Sequence, residues 1–188
     1  MQLKKAIWFF KTKLLGLSYG GLGTHSYVGP ATFIEHRSQV FIGNNVRIYP
    51  GMRIELPSKD SLISIKDNVS IGQNFHAVSY KKNLVIPSGV VISANVFISN
   101  VNHNYKKLGI SALKQELISR DTKIGENCFI GYGAVILPGT HLGKQCIVGA
   151  NAVVHGTFDD YSVIAGVPAR TIKKYDKETK KWRNVENV

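Results

Sequence analysis

The stretch "ISNVNHNYKKLG", residues 98–109, sets Asn102, His103 and Tyr105 within four positions of one another. A histidine of ordinary pKa, about 6.5, is largely neutral at pH 7 and can take a proton from a hydroxyl, so His103 is a candidate general base. Asn102 beside it suits a substrate contact and equally suits a turn. A second cluster, "GQNFHAVSYKKN" at 72–83, holds His76, Ser79 and Tyr80. A loop histidine alone is an ordinary solvated side chain. What gives these residues weight is the scaffold that must carry them.

That scaffold is written in a six-residue rhythm. Aliphatic residues recur at Ile42, Ile48 and Ile54, then Ile65, Ile71 and Ala77, then Ile86, Ile92 and Ile98. After the "NHNY" stretch the rhythm resumes at Ile118 and runs through Ile124, Ile130, Ile136, Leu142, Val148 and Val154. Small side chains fall four places on, at Cys128, Ala134, Thr140, Cys146 and Ala152. Spacing six matches neither a helix nor a lone strand, but it matches a short strand plus a turn forming one side of a coil. Stacked coils pair their strands in parallel and share one aliphatic core. His103 then sits on the outside of a coil, at the base of an excursion of about twenty residues. With about 18 residues per coil, the His76 cluster lies roughly one coil earlier.

Composition narrows the partners. The chain has 188 residues, 44% of them hydrophobic, and a net charge of +12 from 24 basic and 12 acidic side chains. These values predict a soluble globular chain with anionic partners. No aromatic RNA-binding signature or helix-turn-helix pattern accompanies the charge, so nucleic acid is not expected. Two cysteines are too few for a disulfide framework; 18 residues apart, they should stack as inert fillers inside successive coils. His25, His36, His141 and His155 share no spacing that would converge on a metal, and none is expected. The opening "MQLKKAIWFFKTKLLG" is too short and too interrupted by lysine to span a bilayer or serve as a signal peptide. It reads as a basic amphipathic helix, packed on the scaffold or attached peripherally to an anionic membrane.

The hexads, the "NHNY" loop and the ending "AGVPARTI" resemble the hexapeptide-repeat acetyltransferases, in particular the galactoside, maltose and serine enzymes and the O-acetyltransferases of bacterial polysaccharide loci. The resemblance covers residues 30–174 and implies an all-β fold, a left-handed parallel β-helix. The left hand comes from the family, against the usual right-handed crossover. The organisation implied is an N-terminal amphipathic segment (1–29), a β-helix acyltransferase domain (30–172) with a loop near 100–117, and a basic C-terminal tail (173–188). It further implies acetyl-CoA as co-substrate, His103 as the base, a homotrimer with sites between subunits, and a cytoplasmic setting.

Carried residue by residue, the resemblance assigns coenzyme A to Phe129, Tyr132 and Ala150, and its phosphates to Arg170 and Lys173. Phe129 stands where tryptophan is usual. Asn102, His76 and Tyr80 are the acceptor candidates. Around the acceptor and the base the sequence departs from the pattern in two further places. Ala77 and Val78 stand where sugar acetyltransferases have acceptor-binding asparagines, and Asn100-Val101 replaces Asp-His ahead of the base. Orientation of His103 then falls to Glu116 or a backbone carbonyl. The function implied is O-acetylation of a sugar hydroxyl in a surface polysaccharide or its precursor. N-acetylation of an amino sugar is the near alternative. A non-catalytic solenoid and a zinc hydratase on the same scaffold are the more distant ones; the latter lacks a second histidine spaced to pair with His103.

Overall fold

The structure, a computed structural model, describes residues 2–185; Met1 and residues 186–188, the outer ends of the two terminal segments, lie outside the described residues. The chain winds into a three-faced β-solenoid. One face stacks Gly21–Leu22, Val40–Ile42, Leu62–Ile65 and Asn83–Ile86. The second stacks Tyr27–Val28, Arg47–Ile48, Ser70–Ile71, Val91–Ile92, Phe129–Ile130 and Ile147–Val148 before reaching Ser162–Gly166. The third stacks Phe33–Ile34, Arg53–Glu55, His76–Val78, Phe97–Ser99, Val135–Ile136 and Val153–Val154. Successive coils pair in parallel and in register, so Ile48, Ile71, Ile92, Ile130 and Val148 form one continuous inner row.

The hexad logic is visible in burial. Ile54, Ile71, Ile86, Ile98, Ile130, Ile136 and Val154 are closed to solvent, as are the small fillers Cys128, Ala134, Cys146 and Ala152. The corners are made by residues with left-handed backbone: Asn45, Asn68, Asn127 and Gln145 at one edge, Asn74, Asn95 and Asn151 at another. Asparagine tolerates that conformation better than other side chains, which is why it recurs just before the inward residue. At Gly133 (φ +68°) the turn admits only glycine, since a Cβ there would run into Asn151 Oδ1.

The rhythm departs from expectation at one point. Ile118 is not a core hexad residue; it lies on Leu117–Ser119, which pairs antiparallel with Val101–His103 to make a projecting hairpin. The solenoid resumes with buried Thr122 and Ile124. Inserting the hairpin separates Asn83–Ile86 from the next strand position of its face, which continues only through the Lys123–His141 bridge and the His141–Leu142/Thr157–Phe158 pair.

The two ends are structured. Helix α1 (Gln2–Leu14) packs on the first coil, as its pattern predicts. The basic C-terminal segment, expected as a tail, folds back within the described residues as strands Ala169–Asp176 and Lys181–Asn184, antiparallel to Ser162–Gly166 and to each other. Tyr161, Tyr175 and Trp182 cluster beneath that turn, with centroids 6.3 and 5.5 Å apart, which accounts for its order.

Candidate active site

The hairpin that carries His103 is stapled at its root. Asn100, closed to solvent, accepts the Tyr80 backbone N–H on Oδ1 at 2.8 Å and donates from Nδ2 to Ser79 Oγ at 3.2 Å. Its carbonyl accepts the Arg120 N–H at 2.7 Å where the hairpin returns. Ser119 Oγ donates to the Tyr80 carbonyl at 2.9 Å, and Thr122 Oγ1 donates to the Ser99 carbonyl at 2.8 Å. Both roots of the hairpin are therefore tied to the previous coil. The tie explains a substitution the sequence leaves open: the residue standing in the expected aspartate position is an amide because it must accept and donate at once.

Beyond this root, His103 pairs across the hairpin with Leu117, and the Asn104 N–H donates to the Glu116 carbonyl at 3.1 Å. The imidazole and the Asn102 side chain face solvent. Among the described residues, neither Glu116 nor any other side chain hydrogen-bonds the His103 ring, so Glu116 does not serve as its orienting partner. The backbone pairing of the hairpin sets where the residue stands.

The acceptor candidates divide. Tyr80 belongs to the root of the hairpin, held at both its N–H and its carbonyl, with Lys81 Nζ 5.2 Å from its ring centroid. His76 lies on the third face, facing outward between Arg53 and Phe97 in the ladder. Its Nε2 is 2.9 Å from Glu55 Oε1, which also accepts Arg53 Nε at 2.6 Å, and its ring meets Phe97 edge-on at 5.0 Å. Burial raises the Glu55 pKa, but the hydrogen bonds from Arg53 and His76 outweigh it and hold the carboxyl below its ordinary range. Glu55 is the partner that sequence reasoning missed; only the coil register, Glu55 opposite Val78, could have revealed it. No hydrogen bond joins His76 or the Tyr80 side chain to His103 among the described residues.

The cofactor candidates gather along one edge. Phe129 projects from the second face, and Tyr132 and Ala150 sit exposed on successive corners, joined by the Asn151 N–H to Tyr132 carbonyl bond at 2.7 Å. Asn95 Nδ2 donates to Tyr132 Oη at 2.5 Å, steadying the ring from the coil below. Glycines at 131 and 149 keep this edge close-packed: a Cβ on Gly131 would stand 2.7 Å from Ala150 N. Arg170 pairs with Ala165, whose Cβ lies beside Gly149, so the Arg170 backbone stands one strand from the Gly149–Ala150 edge. Lys173 continues the row Phe129–Ile147–Val163, three strand spacings or about 14 Å from Phe129. Arg170 donates only to its neighbour's carbonyl, and neither it nor Lys173 forms an ion pair among the described residues. An exposed aromatic, a small-residue edge and two uncommitted cations suit an extended thiol cofactor bearing phosphates.

The cysteines lie inside the coils, as their spacing predicts. Both are buried and free; Cys128 Sγ donates to the Gly143 carbonyl and Cys146 Sγ to the Asp159 carbonyl, each at 3.2 Å. Hydrogen bonding to Cys146, together with burial, pushes the Cys128 thiol well above its ordinary range, leaving it a poor nucleophile.

A stapled hairpin with a solvent-facing histidine, on a hexad solenoid ending in a cationic edge, defines a class. The chain belongs to the hexapeptide-repeat acetyltransferases. The family described as "Bacterial transferase hexapeptide (six repeats)" matches residues 121–156. The putative lipopolysaccharide biosynthesis O-acetyl transferase WbbJ of Escherichia coli K12 is 33% identical over 157 residues, covering 80% of this chain and 79% of that one. The galactoside O-acetyltransferase of the same organism is 26% identical over 172 residues, covering 92% and 72%. The solved structure of AntD, an N-acyltransferase from Bacillus cereus in complex with dTDP and 3-hydroxybutyryl-CoA, superposes with a TM-score of 0.69. It is 19% identical and covers 90% of this chain and 90% of that one, a likeness of fold.

Proposed function

We propose that this enzyme transfers an acetyl group from acetyl-CoA to a sugar hydroxyl of a bacterial surface polysaccharide or its precursor, with His103 as general base. The observation that carries the reading is the stapled hairpin, which holds a solvent-facing imidazole at the rim of the solenoid and commits the Asn100 amide, the Ser119 hydroxyl and a strand pairing to keeping it there. Acetyl-CoA supplies the activated thioester. His103 accepts the hydroxyl proton as the acceptor oxygen bonds to the acetyl carbon, then returns it to the departing thiolate as the C–S bond breaks. Arg170 and Lys173 hold phosphates, and Phe129 and Tyr132 wall the chain of the cofactor. Asn102, His76 and Tyr80 are the acceptor-side residues.

The nearness to WbbJ, named for lipopolysaccharide biosynthesis and O-acetyl transfer, supports the acceptor class and the oxygen nucleophile. The fold likeness to an N-acyltransferase favours an amino-sugar nitrogen as the second reading. A trimer, with the cofactor edge of one subunit facing the hairpin of the next, would supply the groups that His103 lacks among the described residues of its own chain. The setting proposed is cytoplasmic, where acetyl-CoA is made. The test is acetyl-dependent thiol release with a panel of nucleotide and lipid-linked sugars, followed by NMR to distinguish ester from amide. His103→Ala should cut turnover about 10²–10⁴-fold while leaving the calorimetric affinity for coenzyme A unchanged. Undiminished turnover in that variant would overturn the mechanism.

A further inference from the structure

Helix α1 has two unlike faces. One is anchored: Thr12 Oγ1 accepts the Val28 N–H at 2.8 Å and donates to the Trp8 carbonyl at 2.7 Å. Trp8 packs against Tyr27 and Tyr49, centroids 6.0 and 6.3 Å away, and Lys5 Nζ lies 5.4 Å from the Tyr49 ring. The other face carries Leu3, Ile7, Phe10 and Leu14, the spacing of a single helical stripe. These side chains point away from the solenoid; Leu3 is 77% exposed, Phe10 67% and Leu14 83%. Leu17, just past the helix, extends the row and is likewise exposed.

Isolated exposed apolar residues are ordinary, but a row of them on a rigidly held helix marks a surface that something covers. Its borders identify what. At 100° per residue, Lys4 and Lys11 fall about 70–90° to one side of the stripe and Lys13 about 90° to the other. None of the three forms an ion pair among the described residues, and the helix contains no acidic residue. A second copy of the chain, with net charge +12, would bring lysine rows against lysine rows. A surface that is anionic outside and apolar beneath satisfies both the borders and the centre. Its 13 residues suit lying in such a surface; among the described residues no helix is long and apolar enough to cross a membrane.

We propose that α1 is an in-plane membrane anchor that seats the N-terminal end of the solenoid on a bilayer bearing anionic headgroups. The lysines meet the phosphates while Leu3, Ile7, Phe10 and Leu14 enter about 5–10 Å into the acyl boundary. The proposal is independent of the acetyl-transfer reading and is tested without a substrate. The full chain should co-sediment with vesicles containing about one-third phosphatidylglycerol, and much less with phosphatidylcholine alone. F10E/L14E should lower that binding at least about tenfold, and K4E/K11E/K13E should abolish the preference for anionic lipid. Both variants alter exposed side chains, so the melting curve and circular dichroism should match the unaltered chain. Leu14→Ser, at the helix end, provides a milder second variant with the same expected direction. Absence of vesicle binding by the unaltered chain, or equal binding by F10E/L14E, overturns the proposal. So does a fall in oligomer mass of F10E/L14E by sedimentation equilibrium, which would make a second copy the occupant.

Discussion

Replacing Asn100 by alanine isolates the device that holds the candidate base. The change removes the acceptor of the Tyr80 N–H, at 2.8 Å, and the donor to Ser79 Oγ, at 3.2 Å, in a position only 1% exposed. Stranding a buried backbone donor costs about 1–3 kcal/mol, so the variant should lose about 2 kcal/mol. For a domain of this size that lowers Tm by about 4–8 °C. The loss should be local, because the Arg120–Asn100 backbone bond and the parallel ladders of the other two faces are untouched. Amide hydrogen exchange then reads the effect residue by residue. The Val101–His103 and Leu117–Ser119 strands should exchange about 30-fold faster, the equivalent of about 2 kcal/mol, while Phe129–Ile130 stays protected. A drop in Tm with no change in hairpin exchange would refute the reasoning, because Asn100 would then be filling the core and not holding the hairpin.

Other outcomes follow from the same geometry. Arg170→Ala should weaken coenzyme A binding about tenfold by calorimetry, with the melting curve unchanged, since among the described residues its side chain hydrogen-bonds only its neighbour's carbonyl. Gly133→Ala should destabilise by about 2 kcal/mol, because its backbone is left-handed and the new Cβ meets Asn151 Oδ1. Gly109→Ala, also left-handed but in open space, should cost about 1 kcal/mol, separating strain from clash in chemical denaturation. Glu55 has a folded pKa below its ordinary 4.5, so its contribution is complete above that pH and is lost as pH falls through the lower folded value. Glu55→Gln should therefore flatten the acid side of the stability–pH curve measured by urea midpoints.

The coils were legible because their signal is local and repeated. Each hexad places one large and one small side chain inward, and the stacking of Ile130 and Val148, 18 residues apart, follows from spacing alone. The hairpin was legible as an interruption, but its return strand was not. Ile118 keeps the six-residue phase by coincidence, and only antiparallel pairing with Asn102 assigns it outside the core. The C-terminal segment misled for a different reason. Its lysines suggested solvation, whereas its order depends on Tyr161, Tyr175 and Trp182 meeting across the fold.

The site divides along the same line. The order of residues is enough to assign types to coil positions: His103 at the start of the excursion, small residues along one edge, large aliphatic residues inside. It is enough because, between insertions, a solenoid converts sequence distance into height and face almost linearly. What each of these residues touches was settled in three dimensions alone. Folding bound Glu55 to His76 across 21 residues, made Asn100 a two-way staple, and left the His103 ring without a partner among the described residues of its own chain. Such contacts depend on the stagger between coils, which insertions near 57–61, 79–82 and 101–119 alter without leaving any periodic trace.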